Sequence, residues 1–249
     1  MADQEFANPR LASLYDRFDT ERIDLHHYVS IVGEFNAQSV LDIGCGTGTL
    51  LCKLADNKLE LVGVDPAQAS LDIACSKHGA NRVQWFCGEV TTLPEMKVDL
   101  ALMTGNVAQV FTDNMNWKTT LLAIKNRLKN TGRFVFEARD PAKQGWLEWT
   151  KSRTFRKRDL PGIGEVEAWV ELTNVSLPLV SFKWTYHFKK DDEVLTSEST
   201  LRFREKAEIE ESLIETGFRL TEIRDAPDRP GKEFVFISSV EPAHSGTRA

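Results

Sequence analysis

Short apolar runs alternate with segments of helical period over the first 140 residues of the chain. Val40–Ile43, Leu59–Val64, Val83–Phe86, Val98–Met103 and Arg133–Glu137 each read as a short buried strand. Between them Ala67–Lys77 and Trp117–Lys129 have helical character. Ahead of them, residues 8–33 read as helix, with Leu11, Leu14, Tyr15 and Phe18 on one face and Ile23, His27 and Ile31 continuing at helical steps. Strands that alternate with helices imply βαβ crossovers and a largely parallel sheet.

The period changes to two after Asp140. Val166, Ala168, Val170 and Leu172 alternate with Glu165, Glu167, Trp169 and Glu171, and Val180–Phe188 repeats the pattern. A third run, Leu195–Arg204, follows the polar turn Lys190–Glu193. Alternation of this length predicts antiparallel strands with one buried face. A helix over 206–216, stopped by Gly217, and strands Phe218–Arg224 and Glu233–Val240 complete the order. The expected division is an N-terminal helical segment (1–38), an α/β domain (39–149 and 205–241), an inserted antiparallel subdomain (150–204) and a disordered tail (242–249).

The strand Val40–Ile43 feeds Gly44, Gly46 and Gly48, and Leu50, Leu51 and Leu54 follow at helical spacing. A strand, a Gly-rich turn and a helix bring backbone close to a ligand at a helix N-terminus. Asp65 closes the next strand about 20 residues on, where a carboxylate suits ribose hydroxyls. A dinucleotide fingerprint needs Gly-x-Gly-x-x-Gly; here the third glycine comes one residue early, and Thr49 stands in its place. Asp42, two residues before the first glycine, would repel a pyrophosphate and help orient a ligand that carries an ammonium.

Asp42-Ile43-Gly44-Cys45-Gly46-Thr47-Gly48 resembles the first motif of class I S-adenosylmethionine (SAM)-dependent methyltransferases, acid-x-Gly-x-Gly-x-Gly, and matches it in full. At motif level the resemblance covers residues 39–137 and 206–240. It implies an α/β fold with a doubly wound, seven-stranded, mostly parallel Rossmann-like sheet whose last strand is antiparallel. A strand-rich insertion at this point is similar to that of small-molecule methyltransferases, including glycine and sugar-amine N-methyltransferases. The resemblance also implies SAM as cofactor, S-adenosylhomocysteine as product, and no metal.

Carried onto this sequence, the resemblance places the turn Gly44–Gly48, with Cys45, at the methionine part of SAM. Asp65 falls on the ribose hydroxyls with Pro66 beside it. Glu89 and Val90, after Gly88, take the adenine positions, although Asp is commoner than Glu there. Thr104, Gly105 and Asn106 pass beneath the methyl group. Tyr15-Asp16 resembles a pair that such enzymes fold over the cofactor, and core packing explains Tyr15 equally well. SAM itself carries the activation, so no motif locates a general base and the catalytic residues are unassigned.

Candidates for the acceptor side are Asn106, Arg139, Trp146 and His187. Asn106 offers both a donor and an acceptor. Arg139 could clamp a carboxylate or phosphate, or pair with Asp140 or Glu137 instead. Trp146 could wall an apolar pocket or pack in the core, and His187 shares a face with Lys183 and Lys189 that reads as solvated. Lys151–Arg158 carries five positive charges and no acid. That stretch fits either an RNA or protein acceptor or a charged edge strand that deters sheet pairing.

Composition sets the bounds. With 249 residues, 41% hydrophobic and 27% charged, the chain suits one globular α/β domain with an insertion. A net charge of −6 argues against a general nucleic-acid binder. No apolar run approaches the length of a membrane span, and the N-terminus lacks the apolar core of a signal peptide. Cys45, Cys52, Cys75 and Cys87 are scattered, so reduced thiols and a cytoplasmic location are expected. The function expected is methyl transfer from SAM to an N or O atom of a small-molecule acceptor, by a monomer or homodimer. A SAM-binding regulatory protein without turnover is the alternative, or a methyltransferase that reaches RNA or protein through 151–158.

Overall fold

A computed structural model describes residues 2–18, 20 and 22–241; the tail expected at 242–249 lies outside the described residues. The segments α1 (Gln4–Ala7), α2 (Pro9–Ala12), α3 (Tyr15–Phe18) and α4 (Asp24–Glu34) come first. Then follow β1 (Ser39–Ile43), α5 (Thr49–Leu54), β2 (Glu60–Asp65), α6 (Gln68–Ser76), β3 (Val83–Cys87), β4 (Val98–Met103), α7 (Asn114–Arg127) and β5 (Leu128–Arg139). A short helix α8 (Lys151–Thr154) leads into β6 (Arg156–Leu160), β7 (Gly164–Ser176), β8 (Leu179–Phe188) and β9 (Glu193–Arg202). The chain ends in α9 (Lys206–Glu215), β10 (Phe218–Asp225) and β11 (Glu233–Val240).

The larger sheet has seven strands in the order β10-β11-β5-β4-β1-β2-β3. Strands β1 to β5 pair in parallel, and β11 runs antiparallel to both β5 and β10. Helices cover both faces, which is why β1 is buried at every position rather than at alternate ones. Phe134, Phe136 and Phe236 pack on one face with Trp117 and Leu121 of α7 and Leu213 of α9. Leu102, Val135 and Val235 pack on the other with Leu25, Tyr28 and Ile31 of α4. Strand order reverses between β1 and β4, so their carboxyl ends frame the crevice where such sheets bind ligands.

The second sheet is an antiparallel meander, β6-β7-β8-β9. Val166, Ala168, Tyr186 and Phe188 on its covered face pack against Leu11 and Leu14. This contact explains where the helix expected over 8–33 breaks. Leu11 and Leu14 serve the inserted sheet, whereas Leu25, Tyr28 and Ile31 serve the main one, so the chain must turn between them. Asn8 caps α2 by accepting from the N–H groups of Arg10 and Leu11 at 2.9 and 3.4 Å, and Arg22 adopts a left-handed φ of +34°. Three short segments therefore satisfy the spacing that one long helix would. The helix expected over 117–129 spans Asn114–Arg127, capped by Asp113, which accepts from the Asn116 N–H at 2.8 Å.

Candidate active site

The carboxyl ends of β1 to β4 and the N-terminal segment enclose a cavity of about 460 Å³. Gly44–Thr47, Asp65 and Pro66, Gly88–Thr91, and Thr104 and Gly105 form its sheet side. Ala2, Asp3, Phe6 and Tyr15 of the N-terminal segment and Thr200 of β9 close it from the other. Asp16 ties that cover down. It accepts hydrogen bonds from the hydroxyls of Thr47 at 2.8 Å and Thr49 at 3.1 Å, and pairs with Lys77 at 2.6 Å.

Two carboxylates dominate the electrostatics. Asp65 Oδ2 accepts from the Gly46 N–H and Oδ1 from the Ala67 N–H, both at 2.8 Å. Burial pushes the Asp65 carboxyl above its ordinary range, while those two N–H groups hold it back. Asp42 is 1% exposed, and its Oδ1 has no hydrogen-bond partner among the described residues. Burial first, and the nearby Asp65 second, raise its carboxyl to about 8, against a smaller opposite pull from Arg22. An anion this buried and under-bonded is costly unless a cation or donor meets it.

The three glycines of the turn divide by role. Gly46 has a φ of +52°, and a Cβ there would meet no protein atom within 4 Å, so the backbone faces open cavity. At Gly48 a Cβ would stand 2.5 Å from Trp85 Cη2, and the residue does not line the cavity. Gly48, expected at the ligand, is instead the glycine that lets the turn pack on β3.

Residues 40–132 match the family model described as a methyltransferase domain. The match and the sheet order support a class I SAM-dependent methyltransferase. It is 25% identical over 224 residues to a Geobacillus sp. protein provisionally named a methyltransferase, covering 83% of this chain and 86% of that one. Among solved structures, the CcbJ methyltransferase from Streptomyces caelestis superposes with a TM-score of 0.78 at 19% identity, over 96% of this chain and 100% of the other. The sugar N-methyltransferase KedS8 from a Streptoalloteichus species gives 0.70 at 17%, over 91% and 92%. These two likenesses show the fold.

The fold brings Asp42, Gly44, Cys45, Gly46, Asp65, Pro66, Gly88, Glu89, Val90 and Thr104 to the wall of one cavity. The four acceptor candidates do not line it. Asn106 is buried behind the wall: its backbone N–H donates to Glu137 at 2.9 Å and its Nδ2 to Glu233 at 3.1 Å. Trp146 is 3% exposed and packs edge-on against Phe203 with ring centroids 4.6 Å apart, so core packing accounts for it. His187 lies on the uncovered face of the inserted sheet, where Nε2 meets Asp192 Oδ1 at 2.6 Å. That face carries a charged ladder, Lys189 pairing with Glu167 at 3.0 Å. Arg139 stands at the end of β5 and donates to Gln109 at 3.0 Å.

Several wall residues carried no sequence signal. Asp3, Phe6 and Thr200 come from a short N-terminal turn and a strand of the insertion, and only the chain crossing between the sheets brings them to the cavity. Among the described residues no group of three or more His, Cys, Asp or Glu is placed to hold a metal. No helix among them is long and apolar enough to cross a membrane.

Proposed function

We propose that this methyltransferase transfers the methyl of SAM to an N or O atom of a small-molecule acceptor, which enters the same enclosed cavity between the main sheet and the inserted one. One observation carries the reading. Asp42 presents an oxygen with no partner among the described residues, Asp65 lines the same cavity, and a Cβ at Gly46 would meet no atom within 4 Å. That combination fits a ligand with an ammonium group and a sugar diol. The ammonium would satisfy Asp42, and close backbone approach at Gly46 needs the absence of a Cβ.

In this reading Asp42, Gly44, Cys45 and Gly46 hold the methionine part. Asp65 and Pro66 hold the ribose, Gly88, Glu89 and Val90 the adenine, and Thr104 lies under the reacting centre. SAM, when bound, supplies a sulfonium methyl already activated for in-line displacement. The chain's own contribution is alignment and exclusion of water, a positioning effect that can be worth roughly 7–11 kcal/mol. The cover of Phe6, Tyr15 and Thr200 serves that exclusion. A small acceptor is favoured over RNA or protein because the cavity is walled on both sides and the basic stretch is elsewhere. Lys157 there pairs with Glu165 at 2.8 Å, and Arg153 with Glu148. The sugar N-methyltransferase KedS8, with the same fold, points the same way.

Labelled-methyl transfer into a cell extract, split by ultrafiltration, tests the proposal. Label in the low-mass fraction is expected. Label confined to RNA or protein would overturn the acceptor class.

A further inference from the structure

We infer that Arg139 is the recognition group for an oxyanion, a carboxylate or phosphate, carried by the methyl acceptor. The inference rests on the proposed methyl transfer and names the acceptor's chemistry. The sequence leaves Arg139 two structural partners, Asp140 and Glu137, and neither takes it. Asp140 turns its Oδ1 to the Ala142 N–H at 3.0 Å. Glu137 accepts from the Tyr28 hydroxyl through Oε2 and from the Asn106 N–H through Oε1 at 2.9 Å. The next carboxylate along, Glu233, receives Asn106 Nδ2 at 3.1 Å and Arg229 Nη1 at 2.9 Å. Arg139 is left with one hydrogen bond, from Nη1 to Gln109 Oε1, and with no ion pair among the described residues. Its guanidinium lies 5.8 Å from the Trp149 ring centroid.

A guanidinium has five N–H donors in a planar fork, and four of these have no acceptor among the described residues. Burial holds its pKa down to about 10, with Arg229 pushing the same way and Glu233 and Glu137 opposing. A cation so placed gains most from a planar oxyanion that takes two N–H groups at once. Arg139 does not line the cavity itself and is tied to its wall through Gln109. Gln109 belongs to the turn Val107–Val110, whose two ends line the cavity, and Tyr15 of the cavity wall is within electrostatic reach of Arg139. An acceptor anchored at the carboxyl end of β5 can thus extend toward Thr104 at the end of β4, the adjacent strand.

Calorimetry on the full chain saturated with S-adenosylhomocysteine tests this, using inorganic phosphate and acetate as probes. Saturable binding of at least one probe at millimolar concentration is expected, and the stronger of the two identifies the acceptor's anion. Arg139→Gln should weaken that binding at least tenfold with the S-adenosylhomocysteine affinity retained. Arg139→Lys, which keeps the charge and loses the fork, should weaken it severalfold and serves alone if the glutamine variant does not fold. Absence of binding by the unaltered protein, or equal binding by the variants, would overturn the inference. Failure to take up S-adenosylhomocysteine in the first titration would instead count against the methyl-transfer reading.

Discussion

Burial raises the cost of ionising both Asp42 and Asp65, with Asp65 adding to that of Asp42, and the two answer it differently. Asp65 has two backbone N–H partners, whereas Asp42 Oδ1 has none. Asp65→Ala removes an acceptor for Gly46 and Ala67 as well as a ligand contact. A charged hydrogen bond is worth about 1.5–3 kcal/mol, so SAM affinity by calorimetry should fall roughly tenfold to a hundredfold. For Asp42 the folded carboxyl sits near 8 against an ordinary value of 3.8. The native state therefore keeps a proton, between about pH 4 and pH 8, that the unfolded chain releases. Stability of the free protein contributed at this site is lost as pH rises through that window. Asp42→Asn has no proton to lose, so its thermal midpoint should match the unaltered protein near pH 4 and exceed it by several degrees near pH 8. The same variant should bind SAM more weakly at pH 8, which separates a site role from a merely structural one.

At the scale of elements, the insertion holds the cavity wall by its last strand. Arg204, just beyond β9, donates to the carbonyl oxygens of Ala108 at 3.3 Å and Phe111 at 2.7 Å. Arg202 donates to that of Thr112 at 3.1 Å. Those carbonyls belong to the segment after β4, which carries Val107, Val110 and Phe111 to the cavity. Arg204→Met should cost about 2 kcal/mol of stability in urea unfolding and raise the KM for SAM severalfold. The helix and strand order was legible in the sequence because the signals are local: glycines at alternate places, an acid at a strand end, a period of two or of 3.6. The breaks between α2 and α3 and at Arg22 were not, since three short segments obey the same spacing as one helix. The acceptor side was illegible for a related reason. The environments of Trp146, Asn106 and Arg139 are set by Phe203, Glu233 and Gln109, which lie tens of residues or more away along the chain.

Across the whole molecule, two sheets meet over one cavity, and the basic stretch, split between α8 and the edge strand β6 of the smaller sheet, does not line it. Reversing Arg156 and Arg158 to Glu should leave methyl transfer to the small-molecule fraction within twofold of the unaltered rate. A larger loss would bring a macromolecular acceptor back. The N-terminal cover has a practical side. Ser197 accepts from the Glu5 N–H at 2.8 Å, Ser70 donates to the Phe6 carbonyl at 3.1 Å, and Ala2 is itself part of the wall. Anything fused ahead of Ala2 emerges from the wall of the reaction chamber, so handles for purification belong at the other terminus.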